Sequence, residues 1–175
     1  MKILLKPGFS LLELMIAIAV VGSLTALSVP TFLSVIERNH LKLVLESFKA
    51  DLLVARIEAI KRSQNVAVSR QAGNLGAWCY GINAGNTCDC KLEACSIRTV
   101  SGVDFSSKVS MRASAVNHSF FDFRRGTIAA NGVTFNTQHY EARVVFSDTG
   151  RVRICTPVAA LLSLGKMGLP DIPSC

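Results

Sequence analysis

Charge is missing from residues 14–36, where no Asp, Glu, Lys or Arg interrupts the run. A stretch of that length suffices to cross a hydrocarbon core about 30 Å thick, so it reads as a transmembrane helix. Other absences narrow the function. There is no glycine-rich phosphate loop closed by Lys and Ser or Thr, so the chain does not power motion by nucleotide hydrolysis, and any ATPase is a separate cytoplasmic protein. His40, His118 and His139 stand without a nearby cysteine or serine motif that would mark a nucleophile, so no catalytic constellation and no enzyme is expected. Cys79, Cys88, Cys90 and Cys95 lack the paired CxxC knuckles of a zinc site. Asn83, Asn86 and Asp89 lack the spacing and the terminal bidentate Glu of a calcium loop. No metal or other cofactor is expected. Internal repeats, low-complexity linkers and a second apolar span are also absent.

What is present begins with Gly8-Phe9-Ser10-Leu11-Leu12-Glu13, preceded by the basic Lys2 and Lys6. A secretory signal discards its apolar core, with the cleavage site beyond it. Here the glycine stands before the apolar run, so a cut after Gly8 removes the basic leader and keeps the helix. Lys2 and Lys6 fit the cytoplasmic side, which places everything after the span in the periplasm or outside. Glu13 is costly inside an apolar helix unless it finds a cation or snorkels to water. A new amino group at Phe9, on the same subunit or a neighbour, would be such a partner.

This hexapeptide, with Pro30 further along, resembles the prepilin signature of type IV pilins and type II secretion pseudopilins. The resemblance implies cleavage between Gly8 and Phe9 by a prepilin peptidase, N-methylation of Phe9, and assembly with other pilins through Glu13. It also implies a kink at Pro30, in keeping with the backbone donor that proline lacks. The expected course is residence in the inner membrane with a periplasmic domain, then an extracellular type IV pilus.

The expected organisation is a leader at 1–8, a transmembrane and assembly helix at 9–36, and a globular domain at 37–175. Leu41, Val44, Leu45, Phe48, Leu52, Ala55 and Ala59 recur at helical spacing, which predicts an amphipathic continuation to about Arg62. Short β-like runs follow at 66–70, 78–80, 109–116, 127–129, 142–147 and 151–156. Gly73-Asn74, Asn131-Gly132 and Asp148-Thr149-Gly150 read as turns between them. The fold class is α+β, a long N-terminal helix packed on an antiparallel sheet domain. Six cysteines outside the cytoplasm predict disulfides. Cys155 and Cys175 are set to pair and close the C-terminal tail. Cys79, Cys88, Cys90 and Cys95 allow three connectivities, with Cys88 to Cys90 disfavoured by its tight loop. The segment 79–95 reads as a stapled surface loop.

The net charge is +7, or +5 once Lys2 and Lys6 leave with the leader. From Phe105 onward Lys108, Arg112, Arg124, Arg125, Arg143, Arg151, Arg153 and Lys166 face only Asp122, Glu141, Asp148 and Asp171. Such an excess suits a polyanion, with DNA the obvious extracellular candidate. In a strand over Gly150-Arg151-Val152-Arg153-Ile154-Cys155, Val152 and Ile154 would face inward and Arg151 and Arg153 outward, roughly 6.6 Å apart. That spacing is comparable with neighbouring phosphates, and guanidinium forks suit phosphate oxygens. An edge strand whose arginines discourage pairing is the alternative. The whole chain resembles the GspH/FimT group of minor pilins, and Gly-Arg-x-Arg before a cysteine-closed tail resembles the DNA-binding FimT pilins of natural competence. The resemblance implies sequence-independent phosphate binding to duplex DNA, with Arg151 and Arg153 as clamps. Lys108, Arg143, Arg124, Arg125 and Lys166 would be helpers. Related minor pilins such as FimU share the layout while serving assembly.

Overall fold

The computed structural model describes residues 8–114, 116–158 and 165–175, and of 27–31 the backbone alone. The described chain forms two units, Met1–Ile36 and Glu37–Cys175. A single helix, α1 (Leu11–Arg62), contributes to both. In the first unit Glu13 lies in the first helical turn, and Gly8 and Phe9 are exposed just before it. Pro30, where a kink is expected, lies outside the described side chains. Among the described residues no helix is long and apolar enough to cross a membrane. The apolar stretch described before residue 27 is shorter than the roughly 20 residues a bilayer requires.

In the second unit the apolar stripe of α1 is the centre of the core. Leu41, Val44, Leu45, Phe48, Leu52, Ala55 and Ala59 are all exposed by 1% or less, as their spacing predicts. The stripe lies against two sheets. The first contains β1 (Val66–Gln71), β2 (Cys79–Ala84), β3 (Arg98–Ser101) and β5 (His118–Phe121), in the order β3-β2-β1-β5. The second contains β4 (Ser110–Met111), β6 (Asn131–Asn136), β7 (Tyr140–Phe146) and β8 (Val152–Cys155), in the order β4-β6-β7-β8. A short β9 (Met167–Gly168) adds in parallel to β7. All other strand pairs are antiparallel. Phe48 meets rings from both sheets, Tyr80 of β2 at 4.9 Å and Phe135 of β6 at 5.6 Å. Among the described residues every buried core residue falls between Leu41 and Leu169, so this unit carries its own core.

Several expectations are corrected. Among the described residues of the run expected at 109–116, only Ser110–Met111 form a strand, and by Asn117, which accepts from the Arg70 amide at 2.7 Å, the chain is at the other sheet. The run at 127–129 is reduced to one bridge between Ile128 and Phe121. The strand expected at 78–80 begins at Cys79 and continues to Ala84, so the cysteine-rich segment is part strand rather than all loop. Asn131-Gly132 is no turn; it opens β6. A Cβ at Gly132 would lie 2.4 Å from Arg143 Nε, so glycine there makes room for a guanidinium lying across the strand. His118 lies exposed in β5. The strands β3, β5, β6 and β9 were not expected from the sequence.

Three disulfides close loops. Cys155 joins Cys175, as expected, while Cys79 joins Cys90 and Cys88 joins Cys95 in an interleaved pair. The tail is fastened further by Thr156, whose amide donates to Pro173 and whose carbonyl accepts from Cys175, both at 2.8 Å. Lys42 on α1 pairs with Asp171 at 2.5 Å.

Candidate nucleic-acid interface

The alternation in β8 places its side chains as the spacing predicts. Val152 and Ile154 pack on the core, while Arg151 and Arg153 are exposed. Among the described residues no side-chain hydrogen bond or ion pair engages either arginine. The hairpin that delivers them is tight. The Ser147 amide donates to the Arg151 carbonyl at 3.0 Å and the Gly150 amide to the Ser147 carbonyl at 2.9 Å. Gly150 has φ +76°, and a Cβ there would lie 2.5 Å from the Gly126 carbonyl oxygen. Glycine is therefore required at the head of the Gly-Arg-x-Arg element for both its backbone angle and its close approach to a second turn.

That second turn carries two more of the expected cations. Arg124 and Arg125 are exposed, and their amides donate to Asp122 Oδ1 at 2.9 and 3.1 Å, which shapes the turn ahead of Gly126. The contact between Gly126 and Gly150 thus brings the turn bearing Arg124 and Arg125 beside the one bearing Arg151. Arg143 shares the outer face of the sheet, since Val145 is the partner of Arg153 and Arg143 lies two residues before it. Diagonal neighbours of this kind are about 7–8 Å apart at Cα. Its guanidinium, however, lies over Gly132 on β6, the strand on the side of β7 away from β8.

Lys108 and Lys166 stand apart. Lys108 is exposed in the turn before β4, at the opposite end of the strand order from β8, roughly 14 Å away at about 4.8 Å per strand. Lys166 donates to the Thr137 carbonyl near the Tyr140 end of β7. Arg151 lies beyond the Phe146 end, some 20 Å distant at about 3.3 Å per residue.

The family model described as type II transport protein GspH matches residues 45–150, well over half of the chain. The chain belongs to the GspH family. A model of the prokaryotic N-terminal methylation motif matches residues 6–29 of this GspH-family chain. Among solved structures it is similar to the type IV minor pilin FimU of Pseudomonas aeruginosa, at 21% identity and TM-score 0.52 over 67% of this chain and 90% of that one. It is also similar to the minor pseudopilin EpsH of the Vibrio cholerae type 2 secretion system, at 13% identity and TM-score 0.46 over 65% of this chain and 94% of that one. The FimU likeness shows a shared pilin fold. No curated protein matches. This GspH-family chain is a minor pilin or pseudopilin, and its association with other pilins and a prepilin peptidase follows from that.

One residue of this site in the GspH-family chain, Arg56 on α1, is not among the expected ones. Its Nη1 reaches the Gly150 carbonyl at 3.5 Å, and Cβ atoms at Gly126 and Gly150 would lie 2.7 and 3.3 Å from its Nε. A cation from α1 thus stands behind both turns. Nothing in the local sequence could reveal it, because Arg56 and Gly150 are 94 residues apart.

Proposed function

We propose that this chain is a minor type IV pilin of the FimT kind, which holds double-stranded DNA by its phosphate backbone during uptake. The observation that carries this reading is the pair Arg151 and Arg153, outward on a strand closed by a disulfide, with neither guanidinium engaged by another side chain among the described residues. Two unengaged guanidinium forks spaced like neighbouring phosphates give charge-assisted hydrogen bonds without base readout. Arg124 and Arg125 extend the positive surface past Gly126, and Arg143 supports it from β7. Lys108 and Lys166 contribute only to the general positive field. Each contact is weak and salt-sensitive, and several copies in one filament supply avidity. In this reading cleavage after Gly8 and methylation of Phe9 prepare the subunit in the inner membrane. Glu13 then fixes its register in an extracellular pilus.

A second reading has its own observation. β8 ends the strand order of its sheet. Arginines on such an edge discourage pairing with another strand, which suits a FimU-like subunit that primes assembly without touching DNA. Titration of duplex DNA into the unit Glu37–Cys175 at several salt concentrations separates the two. Binding at low salt that weakens in Arg151→Gln/Arg153→Gln supports the DNA reading. Absence of binding at low salt, or equal binding by the double variant, overturns it.

A further inference from the structure

Arg70 lies in β1, yet its side chain belongs to the interior, with 4% of the residue exposed. Its Nη2 donates to the Val116 carbonyl at 3.1 Å and to Ser119 Oγ at 2.9 Å. Its Cζ lies 5.6 Å from the centre of the Phe146 ring, a cation–π contact. Those contacts leave Nε and Nη1 buried without a hydrogen-bond acceptor, and no carboxylate among the described residues pairs with the guanidinium. Buried charges are normally paired, and a buried donor left unmade is costly.

Beside Arg70 is a small gap of about 10 Å³, partly open toward the exposed Arg112 and Asn117, whose lining also includes Ser114 and Val133. A space of that size takes one water-sized particle. The charges around it do not balance. Arg70 is buried and paired with no described carboxylate, whereas its neighbour Arg112 is exposed and pairs with the fully buried Glu141, 3.3 Å from Arg112 Nη1. One monatomic anion would neutralise the remainder and accept from donors that no protein oxygen reaches. A water molecule would satisfy the donors but leave the charge.

We propose that this gap is a chloride site, bordered by Arg70 and Arg112 and built into the seam between the two sheets. The site is independent of the DNA reading, since neither arginine is part of the Arg151 surface. Burial pushes the Arg70 guanidinium down to about 10 with no carboxylate offsetting it, the condition a bound anion relieves.

The test is thermal unfolding of the full chain in detergent, in chloride, bromide, phosphate or gluconate at one ionic strength, combined with ³⁵Cl NMR line broadening. The expected result is a saturable upward Tm shift of a few degrees in chloride and bromide over gluconate. Chloride line broadening should be reversed by bromide. In Arg70→Met both effects should vanish, and the Tm in gluconate should equal or exceed that of the parent chain because the unpaired charge is gone. The parent-chain measurements stand alone should Arg70→Met fail to fold. Equal Tm in chloride and gluconate overturns the proposal. So does broadening that survives Arg70→Met in a folded variant, which marks adventitious surface ions only. Protection by phosphate equal to that by bromide also overturns it, since phosphate is too large for the gap and would mark the adjoining open cleft of about 550 Å³, near Gln71 and His118.

Discussion

The Tyr80 hydroxyl donates to the Asp51 carboxylate at 2.7 Å, and both residues are buried, joining α1 to β2 at the heart of the domain. Arg98 Nε reaches the same carboxylate at 3.2 Å. Burial raises the Asp51 carboxyl above its ordinary 3.8, opposed by the Tyr80 hydrogen bond and the Arg98 charge.

Tyr80→Phe removes the donor and should cost about 1–3 kcal/mol at neutral pH. Because the folded Asp51 holds its proton to higher pH than the unfolded chain, its contribution falls as pH rises above about 3.8. Without Tyr80 the folded value moves further up, so the penalty should grow from acid to neutral pH in denaturant titrations. A penalty that does not change with pH would count against the ionised Asp51.

Glu37 should show the opposite sign. Burial pushes its carboxyl up, but hydrogen bonds from Thr137 and His139 and the His139 charge bring it below its ordinary 4.5. The unfolded chain then takes up a proton at higher pH than the folded chain. The stabilisation is complete above about 4.5 and lost as pH falls through the lowered folded value. Glu37→Gln should be less stable at pH 7 by about 1 kcal/mol or less, since the His139 partner is half exposed. The difference should close in acid, and a constant offset from pH 7 to 3 would refute this account.

Gly150→Ala tests the contact between two turns. Left-handed backbone costs an ordinary residue roughly 1–2 kcal/mol. Gly165 has the same φ of +76° with nothing within 4 Å of a Cβ, whereas at Gly150 the Gly126 carbonyl is in the way. Gly150→Ala should therefore be the more destabilising of the two by urea unfolding, and should weaken DNA binding as well. Equal costs would show that the turns give way freely.

Replacing the arginine clamp should change the salt dependence as well as the affinity. Every phosphate that is no longer neutralised reduces the slope of log K against log salt by about 0.9, so Arg151→Gln/Arg153→Gln should flatten it by about 1.8. Lys108→Gln, at the far edge of the sheet, should leave the slope nearly unchanged. Equal flattening by Lys108→Gln would point to a diffuse field in place of a clamp.

The joint variant Cys155→Ser/Cys175→Ser opens a loop with sequence separation 20. Chain-entropy arguments place its cost at about 3 kcal/mol. DNA affinity should fall with it if the fastened tail holds β8 in place. Unchanged affinity in a folded variant would free the clamp from the tail.

The helix was legible because its period is long and its stripe unbroken; all seven residues from Leu41 to Ala59 are buried. Cys155 and Cys175 were legible because the other four cysteines cluster far from them. The strand over Arg151 and Arg153 was legible from simple alternation. The sheets were less so. Asn131-Gly132 carries a turn signature, yet the glycine serves a guanidinium from the next strand, a constraint that only pairing creates. The stretch after Met111 is apolar enough for a strand but changes sheets, and Arg70 fixes that crossing. Arg56 and the pair of exposed Arg112 with buried Glu141 join distant segments and are invisible to any local pattern.

The crossed bridges Cys79–Cys90 and Cys88–Cys95 make oxidative maturation a search problem. Six thiols admit 15 complete pairings, and one is native. A chain oxidised in the order its cysteines emerge would join Cys79 to Cys88 first, a bond that must be broken before either native bridge can form. Thiol–disulfide exchange, rather than oxidation alone, therefore gates the supply of mature subunits. A cell lacking disulfide isomerase activity should accumulate this subunit as scrambled isomers before any filament is short of it.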